Sequence, residues 1–347
     1  CHKMTLFFDD SNSDESSCQD KKITLFAIFT YMNPKFKIIL FYKYSYINYP
    51  KPLRDEQFDL CKRLGMKGRM IVAYEGINGT FEGTEEACRE YMEYMKADPR
   101  FADIHWKISE GTKDGTAFPR LSVKVRKEIV SLHLRDGSDD IDPNHTTGNR
   151  LKPEELKKWY EEGRKFHIVD MRNDYELRVG KFEGTVFPEL NNFRDLKENI
   201  KKIEDLKDTT VLTVCTGGVR CEKASGLLVR EGFKDVYQLD GGIVSYMEKY
   251  PGQDFKGSLY VFDKRIVMNF DKEGEHEIIG HCDKCGILSE HYVNCGNLMC
   301  HDHFICCENC LEKSEVDHPS YGLAYCNIWC NLKWKWYQFR KGRRVSY

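Results

Sequence analysis

The sequence predicts an α/β protein in three parts: an α+β domain, an α/β domain built on a parallel sheet, and a small cysteine-rich module. Three observations predict it. A chain of 347 residues exceeds one ordinary domain. Its apolar runs first follow a βαββαβ order and later alternate single strands with helices. Nine of its 15 cysteines fall between Cys282 and Cys330, in a stretch without long periodic segments.

Residues 1–37 carry an acidic, Ser-rich run over 9–20 and are expected to form a disordered extension. The apolar run 23–29 is short, and the acidic segment before it is the opposite of a basic signal-peptide start. No stretch approaches the roughly 20 apolar residues that cross a bilayer. Within 38–135 the pattern predicts a strand at 38–46, a helix at 53–64, two strands in 69–81 joined by a turn from Gly76 to Gly79, a helix at 84–95 and a strand at 104–108. That order is ferredoxin-like α+β. Strands at 122–124 and 128–132 extend its sheet. Residues 136–149 turn to Asp, Gly, Asn, Thr and Pro and read as a linker.

Residues 150–255 form the second domain. Pro153 opens a helix at 152–161, strands follow at 166–170 and 211–214, and a helix spans 222–231. Strands alternating with helices imply a parallel sheet covered on both faces. Residues 256–347 lack the apolar periodicity to fill a core, a deficit that a bound metal can make good.

With 53 basic and 55 acidic residues the net charge is −2, so no global field announces a nucleic-acid partner, and any RNA contact has to be a local patch. Cysteine pairs confined to one end are metal-ligand usage rather than a disulfide framework. Free thiols elsewhere suit a reducing compartment, the cytoplasm.

The chemistry centres on Cys215-Thr-Gly-Gly-Val-Arg220-Cys221, between an apolar strand and a helix. Gly217 and Gly218 let the backbone curl so that N–H groups face the Cys215 sulfur. The helix starting near Cys221 adds the positive end of its dipole, and Arg220 adds a full charge. All three favour the thiolate, the form that attacks. The bland alternative is a buried structural cysteine. Cys221 has two readings: a thiol that resolves oxidised Cys215 as a disulfide, or packing at the helix start. Glu222 and Lys223 are expected as caps or surface residues.

The segment Cys215-Thr216-Gly217-Gly218-Val219-Arg220 resembles the active-site loop of rhodanese domains. Val169-Asp170-Met-Arg172, Gly180-Lys-Phe-Glu-Gly184 and Leu239-Asp240-Gly-Gly-Ile243 support the likeness. The resemblance makes Asp170 and Arg172 supporting neighbours of the loop. Six residues from Cys215 to Arg220 match the sulfurtransferase type, whereas the related phosphatases have seven. The second cysteine, Cys221, narrows the match, as do Tyr74-Glu75-Gly-Ile-Asn-Gly-Thr80 and the run from Phe118 to Ile129: together they resemble the tRNA uridine hydroxylase family.

Membership implies hydroxylation at C5 of the wobble uridine, with molecular oxygen as co-substrate and tRNA as partner. No organic cofactor motif is evident, and protein partners are not indicated. The expected mechanism has Cys215 adding to C6 of uracil, with Arg220 and the loop amides stabilising the developing charge. Two other classes compete. A sulfurtransferase would carry a persulfide on Cys215, but it has no use for the motifs upstream. A non-catalytic zinc adaptor would leave Arg220 and the glycines unexplained.

In the tail, Cys282-Asp-Lys-Cys285, Cys295, Cys300, Cys307-Glu-Asn-Cys310 and Cys326-Asn-Ile-Trp-Cys330 supply eight thiolates, enough for two structural zinc ions. Spacing leaves the pairing open. An interleaved pattern joins Cys282 and Cys285 to Cys307 and Cys310, and Cys306, His301 and His303 are possible substitutes. Beyond them, Trp334, Trp336, Tyr337 and Phe339 alternate with Lys and Arg up to Arg344. That pattern fits packing of a terminal helix on the zinc module, with base stacking as the alternative. Lys124, Arg126 and Lys127 form a further basic run, a solvated face unless RNA covers it.

Overall fold

The computed structural model describes residues 34–133, 140–271, 276–300, 302–315 and 324–340. Most of the expected extension, and with it His301, Lys341, Arg343 and Arg344, lies outside the described residues.

The first domain runs β1 (Phe36–Tyr44), α1 (Pro50–Arg63), β2 (Lys67–Ala73), β3 (Gly76–Thr84), α2 (Glu85–Lys96), β4 (Lys107–Glu110) and β5 (Leu121–Val125). Its sheet has the order β4-β1-β3-β2-β5, antiparallel except for the parallel β2–β5 pair. The first four strands are the ferredoxin-like arrangement and β5 is added at the edge. Helix α2 shows why such elements form: Thr84 Oγ1 caps it by accepting from the Ala87 N–H at 3.2 Å. Ala87, Cys88, Tyr91 and Met95 make its buried stripe against the sheet.

Four details differ from the sequence reading. Strand β1 begins at Phe36, inside the stretch expected as extension. The hairpin turn is Tyr74–Glu75, with Ala73 paired to Gly76, so Gly76 to Gly79 belongs to β3. Gly76 is required there because a Cβ would stand 2.0 Å from the Lys43 carbonyl oxygen. Residues 128–132 are not a strand. Their backbone is held by carboxylates instead: Ile129 N–H donates to Glu75 at 2.6 Å and Leu132 N–H to Glu128 at 2.9 Å. The stretch 136–149, read as a linker, is packed where it is described. Ile141 is buried, and Gly148 N–H donates to Ser225 Oγ at 2.8 Å.

The second domain contains β6 (Asn149–Leu151), α3 (Pro153–Glu161), β7 (His167–Asp170), α4 (Asp174–Leu177), β8 (Gly180–Phe182), α5 (Leu196–Asn199), β9 (Thr210–Val214), α6 (Val219–Arg230), β10 (Asp235–Leu239) and α7 (Gly242–Lys249). Its four-stranded parallel sheet has the order β6-β10-β9-β7. Apolar cores lie on its two faces, one around Val211, Leu227 and Leu228, the other around Leu156, Leu212 and Ile243.

The C-terminal part has β11 (Phe255–Gly257), β12 (Leu259–Tyr260), β13 (Val267–Met268), β14 (Tyr292–Asn294), β15 (His303–Ile305), α8 (Glu308–Glu315) and α9 (Ile328–Arg340). Strand β11 pairs with β8 and so ties this part to the second domain. Its own core is slight, gathered around Cys295, Phe304, Cys306, Ala324 and Cys330. Among the described residues, no helix is long and apolar enough to cross a membrane.

Candidate active site

Strand β9 is buried from Val211 to Val214 and delivers Cys215 to the carboxyl edge of the parallel sheet. There Gly218, at φ +98°, turns the chain into α6 and points its N–H at the Cys215 sulfur, 3.2 Å away. The start of α7 secures the loop from behind: Ile243 N–H donates to the Cys215 carbonyl at 2.9 Å and Val244 N–H to that of Thr216 at 3.1 Å. Burial alone pushes the Cys215 thiol up, but the Cys221 hydrogen bond, the Arg220 charge and the loop amides together bring it down to about 6. Cys221 is buried beside it, and burial with the neighbouring Cys215 raises its own thiol well above the ordinary value.

Arg220 is placed differently from the expectation. Its guanidinium forks onto the carboxylate of Glu176, at 2.5 and 2.8 Å, and reaches Thr216 Oγ1 at 3.4 Å. Its charge is therefore already balanced, and it acts as an electrostatic neighbour and brace for the loop. Asp170 and Arg172 form a fully buried ion pair, with Nη2 to Oδ2 at 2.7 Å. Arg172 also donates to the carbonyls of Glu176 and Gly180, at 3.3 and 2.7 Å. The pair thus fixes the segment that presents Glu176 to Arg220.

The sheet of the first domain closes over the loop. A Cβ on Gly217 would lie 2.9 Å from Leu40 Cδ2, and one on Gly218 the same distance from Tyr42 Oη. Gly218 is needed for the curl, at φ +98°, whereas a Cβ at Gly217 would press only on the end of the Leu40 side chain. Tyr42 donates to Glu222 at 3.0 Å, and Arg150 donates to the same carboxylate at 2.5 Å. Lys223 reaches Glu75 at 2.8 Å, Glu128 at 2.9 Å and Asp140 at 3.3 Å. Read from sequence as caps or surface groups, Glu222 and Lys223 are buried clamps between the domains.

Between the two domains lies a cavity of about 520 Å³, whose lining includes Leu40, Tyr42, Lys107, Cys215, Arg220 and Phe262. Sequence reasoning missed Tyr42, Lys107 and Glu176. Only Glu176 had a local signal: as the residue three after Asn173, it caps α4 by accepting the Asn173 N–H at 2.9 Å.

The cysteine-rich part brings together Cys282, Cys285, Cys307 and Cys310 in one group and Cys295, Cys300, Cys326 and Cys330 in another. This is the interleaved arrangement. The sulfurs of each group lie within 4.8 Å of one another. Neighbouring pairs are 3.6 Å (Cys285–Cys307), 3.5 Å (Cys295–Cys330) and 3.7 Å (Cys300–Cys326) apart. A tetrahedral ion with Zn–S bonds of about 2.3 Å needs sulfur–sulfur edges of roughly 3.8 Å. The donor sets therefore fit zinc. Cys306 belongs to neither group, and His303 is instead hydrogen-bonded with Tyr260 Oη at 2.9 Å. In α9, Trp334 is buried and stacked on Tyr337, while Trp336 and Phe339 remain exposed.

A cysteine on a glycine turn, six residues from nucleophile to arginine inclusive, at the carboxyl edge of a parallel sheet, defines a rhodanese-type thiolate site. Residues 152–249 match the model of the rhodanese-like domain, residues 36–129 that of the UPF0176 acylphosphatase-like domain, and residues 256–331 that of the rhodanese C-terminal region. The tRNA uridine(34) hydroxylase of Cytophaga hutchinsonii is 45% identical over 280 residues, 81% of this chain and 87% of that protein. Those of Bacillus velezensis and Staphylococcus aureus are each 44% identical, over 79% and 85% of this chain and 84% and 89% of theirs. The chain belongs to the tRNA uridine(34) hydroxylase family.

Proposed function

We propose that this protein hydroxylates uridine 34 of tRNA, the wobble position, at ring carbon C5, with Cys215 as the nucleophile. The observation that carries the reading is the roof over Cys215. A site that only passed sulfur between small molecules would not need a second domain walling a cavity of about 520 Å³ above the thiolate. A nucleobase turned out of an anticodon loop does need one. The names of the relatives point the same way.

Cys215 is suited to add to C6 of the ring, because its sulfur is held as thiolate near neutral pH. Addition makes C5 electron-rich enough to meet dioxygen. One oxygen atom then stays on C5, and two electrons from a reductant release the other as water. Around this centre Arg220, Glu176, Asp170 and Arg172 keep the loop rigid. A second cavity of about 1170 Å³ shares Arg69 and Phe262 with the first and is lined by Arg120, Lys124 and Lys264, cations placed for the phosphates of flanking nucleotides. The two four-cysteine groups would hold structural zinc, which replaces the missing apolar core of the C-terminal part. The thiols outside those groups, Cys61, Cys88, Cys215, Cys221 and Cys306, form no disulfide among the described residues, which suits the cytoplasm.

The test uses the purified full chain with unmodified tRNA, a thiol reductant and ¹⁸O-labelled dioxygen. Label in the new C5 hydroxyl of nucleoside 34 supports the reading, and label that enters only from ¹⁸O water overturns the role of dioxygen.

A further inference from the structure

Adding a thiolate to C6 of uracil has an electrostatic requirement that the loop alone does not meet. The S–C6 bond forms, the C5=C6 electron pair shifts, and negative charge settles on O4 as an enolate. A cation or proton donor has to stand at that oxygen. Arg220 is the obvious group in the sequence, but its guanidinium is spent on Glu176. Of the other cations of the cavity, Arg265 is forked onto Asp263 at 2.8 and 2.7 Å, Arg194 is exposed, and Arg69 is shared with the second cavity.

Lys107 is different. It stands on β4 of the first domain, is 4% exposed and lines the cavity that holds Cys215. Its Nζ sits 4.9 Å from the centroid of the Tyr42 ring, and Lys107 makes no ion pair among the described residues. Asp240, Cys215 and Glu222 draw on its charge from a distance, with Arg150 and His105 opposing and Glu248 beyond. Burial lowers this ammonium to about 8, so it is still protonated at neutral pH and gives up its proton more readily than an exposed lysine.

We infer that the Lys107 ammonium is the catalytic group that meets O4 of the uracil and takes up the charge created when the Cys215 sulfur adds to C6. The proton passes from Nζ to O4, leaving a neutral amine and an enol, and no electrons are gained or lost. This rests on Cys215 acting as the nucleophile towards C6. It further assigns the first domain a chemical role, beyond that of a docking surface.

The test isolates the addition step. Full-length protein is mixed with tRNA carrying 5-fluorouridine at position 34, and the covalent protein–tRNA adduct is followed on denaturing gels while affinity is measured by filter binding. Wild type is expected to form the adduct and Cys215→Ser to form none. Lys107→Met should slow adduct formation on the order of 100-fold, with affinity nearly unchanged, and Lys107→Arg should recover part of the rate. Adduct formation by Lys107→Met at the wild-type rate would overturn the role of Lys107 and leave Cys215 standing. Loss of affinity in step with rate would make Lys107 a binding residue and overturn the inference. If wild type binds the tRNA but forms no adduct, addition to C6 itself fails, and the role of Lys107 with it.

Discussion

At the scale of single residues, the account turns on Cys215. Its thiolate is favoured, against burial, by contacts that its own loop supplies, the Cys221 hydrogen bond first, then the Arg220 charge and the loop amides, and the Gly218 N–H stands 3.2 Å from the sulfur. The thiolate fraction should therefore rise through about pH 6, where an unperturbed thiol would wait until about pH 8.5. With the other reactive thiols quantified by peptide mapping, the rate of Cys215 alkylation against pH should show this early inflection. An inflection near 8.5 would show that the loop does not activate the sulfur. This part of the site was legible in the sequence because the cysteine, both glycines and the arginine are neighbours. Glu176 and Lys107 were not, since each comes from another segment and neither residue type is rare enough to attract notice. Arg220 was legible as a residue but not in its role, because the carboxylate that balances it is 44 positions away.

At the scale of elements, strands and helices followed the apolar periodicity closely, and the departures have local causes. The segment 128–132 carries Ile, Val and Leu as a strand would, yet N–H groups in and just after it are claimed by Glu75 and Glu128, so no ladder forms. Helix α6 misled in the opposite way. Arg220 through Leu228 are all buried, because the helix is covered by the sheet, by the first domain and by the segment that leads into β6. A helix buried all round carries no polar face to read, so Glu222 and Lys223 looked like surface residues. In the C-terminal part, cysteine spacing pointed to metal-ligand usage and offered the interleaved grouping that the fold brings together, without deciding it. Elemental analysis should find two zinc ions per chain, one for each group. Cys282→Ser should lose one of them and raise the susceptibility of the C-terminal part to proteolysis, leaving the parallel-sheet domain folded. Full zinc retention in that variant would exclude Cys282 as a ligand.

At the scale of the whole molecule, function depends on holding the first domain over the cysteine loop. Lys223 is the central clamp, with a side chain at 0% exposure that joins carboxylates from the β2–β3 turn, the loop after β5 and the segment before β6. Lys223→Met leaves those carboxylates without their shared cation and should cost about 3–5 kcal/mol of stability by denaturant unfolding. A loss below about 1 kcal/mol, as for an exposed ion pair, would show that the domains are held by other contacts. The sequence revealed two domains and the loop but not their mutual placement, since Tyr42, Leu40 and Lys107 sit among ordinary strand residues. Their meaning comes only from what faces them. The central claim, hydroxylation of uridine 34 through Cys215, is tested most directly by mass spectrometry of tRNA nucleosides from cells that lack this protein, complemented with wild type or with Cys215→Ala. Loss of 5-hydroxyuridine derivatives in the deletion, restored by wild type alone, is the predicted result. Equal restoration by Cys215→Ala would contradict the account.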